Sequence, residues 1–249
     1  MEKAINELKE NGFVIFPALV PEDMIQKVFQ QIEDLLDEAL TQQNIKPGGF
    51  KNIDEKYLYL KNKFPIIKSH VYDLVKHLDS VLAISNLPQI TEFIKTVFSG
   101  PLLVDHPQVR ADDNSNDRLL PFHQEGVGQI SSECITVWVP MMDLRQENGA
   151  LRYIPKSHLQ GFVKYRFYPE LSNYHGIREE YVDESKIEYA CLKKGDALVF
   201  GPCLFHGSTP NKTEEIRWTY VTRFNSVKGV SYIADENAPM RIEQIESKD

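Results

Sequence analysis

Two stretches hold residue types that could do chemistry together: the phrase F-H-Q-E-G, Phe122 to Gly126, and His206 with Arg217 eleven positions after it. Two imidazoles, His123 and His206, and one carboxylate, Glu125, can hold a divalent metal on one face and leave the opposite positions open. That is the ligand set of non-haem Fe(II) oxygenases. His-x-Glu alone is a weak signal, since it occurs often by chance. Placement strengthens it: residues i and i+2 of a strand point to one face, so a strand over residues 120–125 aims both side chains into the same cavity. His206 lies near the end of A-L-V-F-G-P-C-L-F-H-G-S, an apolar run behind the turn Lys193-Lys194-Gly195-Asp196. Arg217 opens the next strand, close enough to serve a ligand held beside His206.

The elements that must carry these residues change character near residue 100. Before it, helical periodicity dominates. The first ten residues, M-E-K-A-I-N-E-L-K-E, read as an amphipathic helix, and a short strand from Phe13 to Phe16 follows the stop at Gly12. Met24, Ile25, Val28, Phe29, Ile32, Leu35, Leu36 and Leu40 form a stripe behind Pro21, a residue suited to a first helical turn. Val71, Leu74, Val75 and Leu78, then Ile90, Phe93, Ile94 and Val97, predict two more helices. After residue 100, short strands with turn punctuation take over, at 102–110, 120–125, 133–140, 151–155, 187–192, 197–200 and 217–224. Such spacing predicts a mainly β fold, a sandwich or barrel with helices on one outer face. No repeat or linker interrupts the chain, so residues 1–249 read as one domain, a helical part (1–100) packed on a β core (101–225).

Composition narrows the function classes. The 249 residues are long enough to bury a full core, and 42% hydrophobic with 26% charged residues is ordinary for a globular protein. A net charge of -8 makes a general nucleic-acid surface a poor fit. No run of about 18 apolar residues offers a membrane span, and the amphipathic N-terminus is not a signal peptide. Cys134, Cys191 and Cys203 are too few for a disulfide framework and lack Cys-x-x-Cys spacing, so a reducing, cytoplasmic setting is expected. The last residues, 246–249, are not a peroxisomal or retention signal.

Four phrases give the chain a family resemblance: L-L-P-F-H-Q-E; T-V-W-V-P-M; E-N-G-A-L-R-Y-I-P-K-S-H; and K-K-G-D-A-L-V-F-G-P-C-L-F-H-G-S-T-P-N with R-W-T-Y-V-T-R-F after it. Their order and spacing resemble the phytanoyl-CoA dioxygenase family of Fe(II)/2-oxoglutarate-dependent oxygenases, from G-F-V-I-F-P near residue 12 to Phe224. The resemblance implies a double-stranded β-helix, the jelly-roll form of cupin-like folds. It implies Fe(II) held by His123, Glu125 and His206, with 2-oxoglutarate as cosubstrate and O2 as oxidant. The far carboxylate of 2-oxoglutarate calls for a forked, permanently charged donor, the role that the resemblance gives to Arg217. Ser208 is similar to the hydroxyl that bonds the same carboxylate in the family. Thr136 and Trp138 fall on the strand where the family places cosubstrate contacts, although Trp138 serves equally well as a core residue. Gln108 and Arg110, two apart on the preceding strand, are weaker candidates for the near carboxylate or the substrate.

The sequence departs from the family at one ligand. The usual carboxylate is aspartate, and here it is Glu125, one methylene longer. Related oxygenases use glutamate in this role, so iron binding stays the favoured reading. A retained carboxylate also argues against halogenation, where a small residue makes room for chloride. Hydroxylation of an unactivated C–H, with release of succinate and CO2, is the expected reaction. The same class also offers desaturation, ring closure or epimerisation. A non-catalytic cupin-like metal or ligand binder would keep the metal ligands without the Arg217 and Ser208 clamp, and a zinc hydrolase would need a general base in place of an acidic cosubstrate.

Other residues take plain structural readings. His70 and His77 lie about 10 Å apart along a helix, too far to share a metal. His158 supports a turn in I-P-K-S-H, Asn148-Gly149-Ala150 forms a turn into a strand, and His106, before Pro107, is local structure; His175 carries no assignment. Two segments lie outside the matching phrases, 45–65 and 161–186, and insertions beside a barrel mouth tend to be lids or binding loops. The first holds Lys46, Lys51, Lys56, Lys61 and Lys63 against Asp54 and Glu55, either a steering surface for an anion or a solvated face. The second holds Tyr165, Phe167, Tyr168, Tyr174 and Tyr181, a polar pocket lining or lid packing. The substrate is expected to be a small, polar or anionic molecule; neither an acyl-CoA nor an oligomeric state follows from the residues.

Overall fold

The computed structural model describes residues 1–98, 100–115, 121–125, 131, 133–169 and 174–229. Six helices come first: α1 (Glu2–Asn11), α2 (Glu22–Gln42), α3 (Ile53–Lys63), α4 (Pro65–Val75), α5 (Asp79–Ser85) and α6 (Pro88–Val97), with β1 (Phe13–Phe16) between the first two. The stripe behind Pro21 becomes the buried face of α2, through Ile25, Val28, Ile32, Leu36 and Leu40. Pro21 itself is the residue before the helix, not part of its first turn. Helix α4 ends at Val75, so His77 is not on the helix that carries His70.

The β strands that matter to the site are β2 (Leu102–Asp112), β3 (Cys134–Pro140), β4 (Arg152–Tyr153), β5 (Tyr165–Tyr168), β6 (Tyr174–Ile177), β7 (Glu188–Tyr189), β8 (Ala197–Phe200), β9 (His206–Gly207) and β10 (Arg217–Ser226). Five of the strands form one antiparallel sheet in the order β1-β8-β3-β10-β2. Alternation splits it cleanly into two faces. One face presents Val14, Ile135, Val137, Val139, Val199, Trp218, Tyr220 and Phe224 to the helices in the larger core. The other presents Trp138, Leu198, Phe200 and Val221 to a second core with Leu151, Tyr153, Ala190, Leu192 and Leu204. A smaller sheet, β7-β4-β9, supplies Tyr153 to that second core.

Arg217, Thr219, Val221 and Arg223 share the parity of Val221, so β10 brings two arginines to the inner face. Its register with β2 shifts between Val221 and Arg223, pairing Val221 with Gln108 but Arg223 with Asp105. The extra β2 residue falls at His106-Pro107, and Pro107 has no N–H to give to the ladder, which accounts for a bulge there.

Two further sequence readings need correction. The 120–125 strand shrinks, among its described residues, to one antiparallel bridge between His123 and His206. The strand expected over 197–200 is β8, and of the rest of that apolar run only His206 and Gly207 are strand again. Segment 45–65 is largely helix α3, packed on the sheet's outer face, not a lid. Tyr57 and Leu60 are buried, and Tyr57 stacks edge-on against Trp218 with ring centroids 5.5 Å apart. Two of its lysines are paired with carboxylates. Lys56 is buried between Glu33 and Asp37, at 2.7 and 2.6 Å, and Lys61 lies 2.5 Å from Asp113.

Candidate metal centre and adjoining cleft

His206 is fixed by its neighbours on all sides. Leu204 and Phe205 are fully buried, the Phe205 N–H donates to Ser157 Oγ at 2.8 Å, and Tyr153 of β4 pairs with His206 across the small sheet. On its other side the backbone exchanges two hydrogen bonds with His123, 2.8 and 3.2 Å long. His123 and Glu125 therefore reach the site without a full strand. Glu125 is tied separately, its N–H donating to Pro202 O at 2.9 Å.

The three side chains converge as the spacing predicted. Their potential ligand atoms all lie within 4.8 Å of one another, and the two imidazole centroids are 4.1 Å apart. His206 Nδ1 lies 3.0 Å from Leu204 O. A carbonyl can only accept, so Nδ1 carries the proton and Nε2 presents its lone pair. Nε2 faces Glu125 Oε1 at 3.4 Å. Two acceptors so placed are reconciled only by a cation between them, a proton or a metal. His123 Nδ1 is likewise engaged, 2.6 Å from the Tyr174 hydroxyl. Both rings thus have one nitrogen held by an outer partner, the arrangement that orients metal-binding histidines.

Burial and the neighbouring His206 push the His123 pKa down to about 3, so the ring is neutral and able to ligate. Burial also works to raise the pKa of Glu125. The Arg223 charge outweighs it and holds the carboxyl well below the usual range. Arg223 was not picked out from the sequence. It forks onto Glu125, Nε to Oε2 at 2.7 Å and Nη2 to Oε1 at 3.3 Å. The signal was available: Arg223 lies six residues after Arg217, an even step along one strand, hence the same face.

The β5–β6 hairpin, within the segment 161–186, is what delivers Tyr174. It docks on the segment before His123, with the Ile177 N–H donating to Phe122 O at 2.7 Å. The approach is tight enough that a Cβ at Gly176 would meet Pro121 Cβ at 2.6 Å. Burial raises the Tyr174 pKa, keeping the phenol protonated against His123. Phe167 is exposed and Tyr168 buried; Tyr165 and Phe167 stack against His175, and Tyr181 packs against the small cluster around Phe122.

The residues expected to meet the cosubstrate divide into two groups. Arg110, Ser208 and Arg217 line a polar cleft of about 250 Å³, together with Tyr57, Lys61 and Lys68 of α3 and α4. Thr136, Trp138 and Gln108 do not line it. They sit further along the inner face, Trp138 and Gln108 opposite Val221 and Thr136 opposite Arg223. Trp138 belongs to the second core. None of His123, Glu125 and His206 lines the cleft.

Arg217 is buried and deeply committed. It donates to Gly149 O, to Thr209 O at 3.2 Å and to Asp112 Oδ2 at 2.7 Å. A Cβ at Gly149, where φ is +91°, would sit 2.6 Å from Arg217 Nη1, so the glycine is required by the arginine's path. Burial pushes the Asp112 pKa up, and the Arg110 and Arg217 charges overcome it. Arg217 Nε and Thr136 Oγ1 are among the buried polar atoms that lack a hydrogen-bond partner in the described residues. Lys61, Lys68, Arg110 and Arg217 outnumber Asp112 and Asp113 in the cleft by four charges to two. The start of β10 is in turn held by helix α3: Asp54 accepts from the Ile216 N–H at 3.0 Å and from Trp218 Nε1 at 2.8 Å.

The family model of phytanoyl-CoA dioxygenase (PhyH) matches residues 8–219. The chain belongs to the phytanoyl-CoA dioxygenase family. Peroxisomal phytanoyl-CoA dioxygenase from Rattus norvegicus is 25% identical over 264 residues, covering 96% of this chain and 74% of that protein. Its Homo sapiens counterpart is 26% identical over 249 residues, covering 90% and 70%. Among solved structures, EvdO2 from Micromonospora carbonacea var. aurantiaca, complexed with 2-oxoglutarate, superposes with a TM-score of 0.60 at 16% identity, covering 91% of each chain. The carbocyclase SnoK of nogalamycin biosynthesis gives 0.56 at 15% identity, covering 100% of this chain and 94% of its own. The shared fold is antiparallel sheets with flanking helices, the fold of non-haem iron oxygenases. As a phytanoyl-CoA dioxygenase family member the protein is an oxygenase of the iron- and 2-oxoglutarate-dependent class. Among the described residues, no helix is long and apolar enough to cross a membrane.

Proposed function

We propose that this family member hydroxylates an unactivated C–H of a small polar or anionic metabolite, with His123, Glu125 and His206 as the Fe(II) ligands. The observation that carries the reading is the convergence of these three donors within 4.8 Å, with His206 Nε2 and Glu125 Oε1 presenting two acceptors to one point. The bound metal supplies O2 activation coupled to decarboxylation of 2-oxoglutarate, giving succinate, CO2 and an oxidised substrate. The protein's part is to fix geometry. Arg217 offers its free Nε–H, and Ser208 its hydroxyl, to the far carboxylate of 2-oxoglutarate, in a cleft whose excess of two positive charges suits a dianion. Arg110 lies in the same cleft and adds to that charge. Thr136, with an unpartnered buried hydroxyl, and Gln108 and Trp138 line the inner face toward the metal ligands.

The two sheets packed over the second core support a jelly-roll closure, and the core that joins helices and sheet supports one domain; residues 230–249 and the end of the chain lie outside the described residues. Three free cysteines fit a cytoplasmic setting. Retention of Glu125 favours hydroxylation over halogenation. Desaturation, ring closure or epimerisation would use the same residues and differ in product.

The test is anaerobic addition of Fe(II) and 2-oxoglutarate. The wild type should develop the visible charge-transfer band of the chelate, and His123→Ala, Glu125→Ala or His206→Ala should lose it while staying folded. No band in the wild type would sink the assignment. Unfolding on metal removal would instead make the metal structural. Succinate release across a panel of sugars, nucleotides, amino acids and acyl thioesters, with mass analysis of the product, then identifies substrate and outcome.

A further inference from the structure

We propose that Arg223 is the positioning residue of the Glu125 carboxylate, holding one oxygen so that the other is turned toward the metal position. This rests on the metal reading above and assigns a new role within it. The two carboxylate oxygens are unequal. Oε2 receives the short Arg223 Nε–H bond, 2.7 Å, while Oε1 has the longer 3.3 Å contact with Arg223 and is the oxygen that looks at His206 Nε2. A charge-assisted bond of that length commits Oε2 to the guanidinium. Oε1 is thereby turned toward His206 Nε2 and the candidate metal position.

The pairing also gives a physical reason for glutamate at this position. Arg223 reaches from β10, in the large sheet, across the inner face to the segment that bridges the small sheet. Aspartate would stop about 1.5 Å short, the length of one C–C bond. The 2.7 Å contact would then open beyond hydrogen-bond range, or the oxygen would leave the metal position. Glu125 and Arg223 are therefore a matched pair, reach on one side and a fork on the other. Asp105, the register partner of Arg223 on β2, acts electrostatically on the same guanidinium and keeps it from being a bare charge beside a cation site. Thr136 sits opposite Arg223 on β3, so the pair also borders the unpartnered hydroxyl on the inner face.

Co(II) binding to the full chain, followed by its visible absorption and by calorimetry, separates positioning from plain charge balance. Arg223→Met should bind Co(II) about ten- to hundred-fold more weakly than wild type, the usual loss when an outer partner of a metal ligand is removed. Arg223→Lys keeps the charge but not the fork, and should fall in the same range. Glu125→Asp should also weaken binding, and adding Arg223→Met to it should change affinity less than two-fold, because the contact is already lost. Wild-type affinity in Arg223→Lys, or losses that add in the double variant, overturns the proposal. If Arg223→Met fails to fold, the lysine variant decides. Wild-type protein that binds no Co(II) would overturn the metal reading instead, a separate outcome.

Discussion

Strand β10 carries two arginines on one face, and they are held in opposite ways. Arg217 is secured mainly by backbone, through Gly149 O and Thr209 O, with Asp112 as its one carboxylate. Arg223 is secured by the side chain of a candidate metal ligand. Asp112 is shared between Arg110 and Arg217, so the two arginines keep a net positive charge, and Arg217 Nε–H has no partner. A carboxylate neutralises while it fixes, so Arg223 serves what is already there. One strand thus offers a receptor at its start and a brace further along.

The sharpest way to break the contrast is Arg217→Ala. It should raise the 2-oxoglutarate dissociation constant about 100-fold or more in isothermal titration, while Co(II) affinity stays within about two-fold of wild type; a charge-assisted fork of this kind is worth about 3 kcal/mol. Equal loss of both would merge the two regions into one. Gly149→Ala tests whether the carbonyl cradle matters, since a Cβ there meets the guanidinium at 2.6 Å in a left-handed backbone. Thermal unfolding should show about 1–3 kcal/mol of destabilisation, and 2-oxoglutarate binding should weaken about ten-fold, with metal affinity spared. Asp54→Asn acts one step further back, on the tie between α3 and β10. It should cost about 1–2 kcal/mol of stability and only a few-fold in 2-oxoglutarate affinity. The smallest expected change belongs to the other region: Tyr174→Phe removes one neutral hydroxyl at His123 Nδ1 and should weaken Co(II) binding about three-fold, less than the loss of a charged outer partner. A Tyr174→Phe effect on 2-oxoglutarate alone would contradict the division.

The sequence was readable where pattern and pairing agree. Phe13–Phe16, Ala197–Phe200 and the start of β10 at Arg217 appear at their expected bounds because one face is apolar toward the helices and the other toward the second core. The convergence of His123, Glu125 and His206 was legible because few residue types can serve as metal donors, and their ligand atoms do lie within 4.8 Å of one another. Helix α3 was not, since its partners compensate for a weak stripe: Lys56 is buried between two carboxylates, and Tyr57 meets Trp218 from a distant strand. Arg223 shares its face with Arg217 by parity, but its partner Glu125 lies ninety-eight residues earlier and only the fold brings the two together. The cleft residues Lys61 and Lys68 needed tertiary contact as well.

The pairing of β1 with β8 sets a limit on how this molecule can be shortened. Strand β1 lies between two helices, yet it forms the outermost rung of the large sheet, from Phe13 beside Phe200 to Phe16 beside Ala197. Trimming at residue 100 to isolate the catalytic half would leave β8 as a bare, apolar edge, with Val199 exposed where β1 had covered it. Such an edge recruits other chains, so the truncated product should form aggregates. The smallest soluble version of this enzyme has to keep its first sixteen residues, far as they stand in the chain from every group that could touch a substrate.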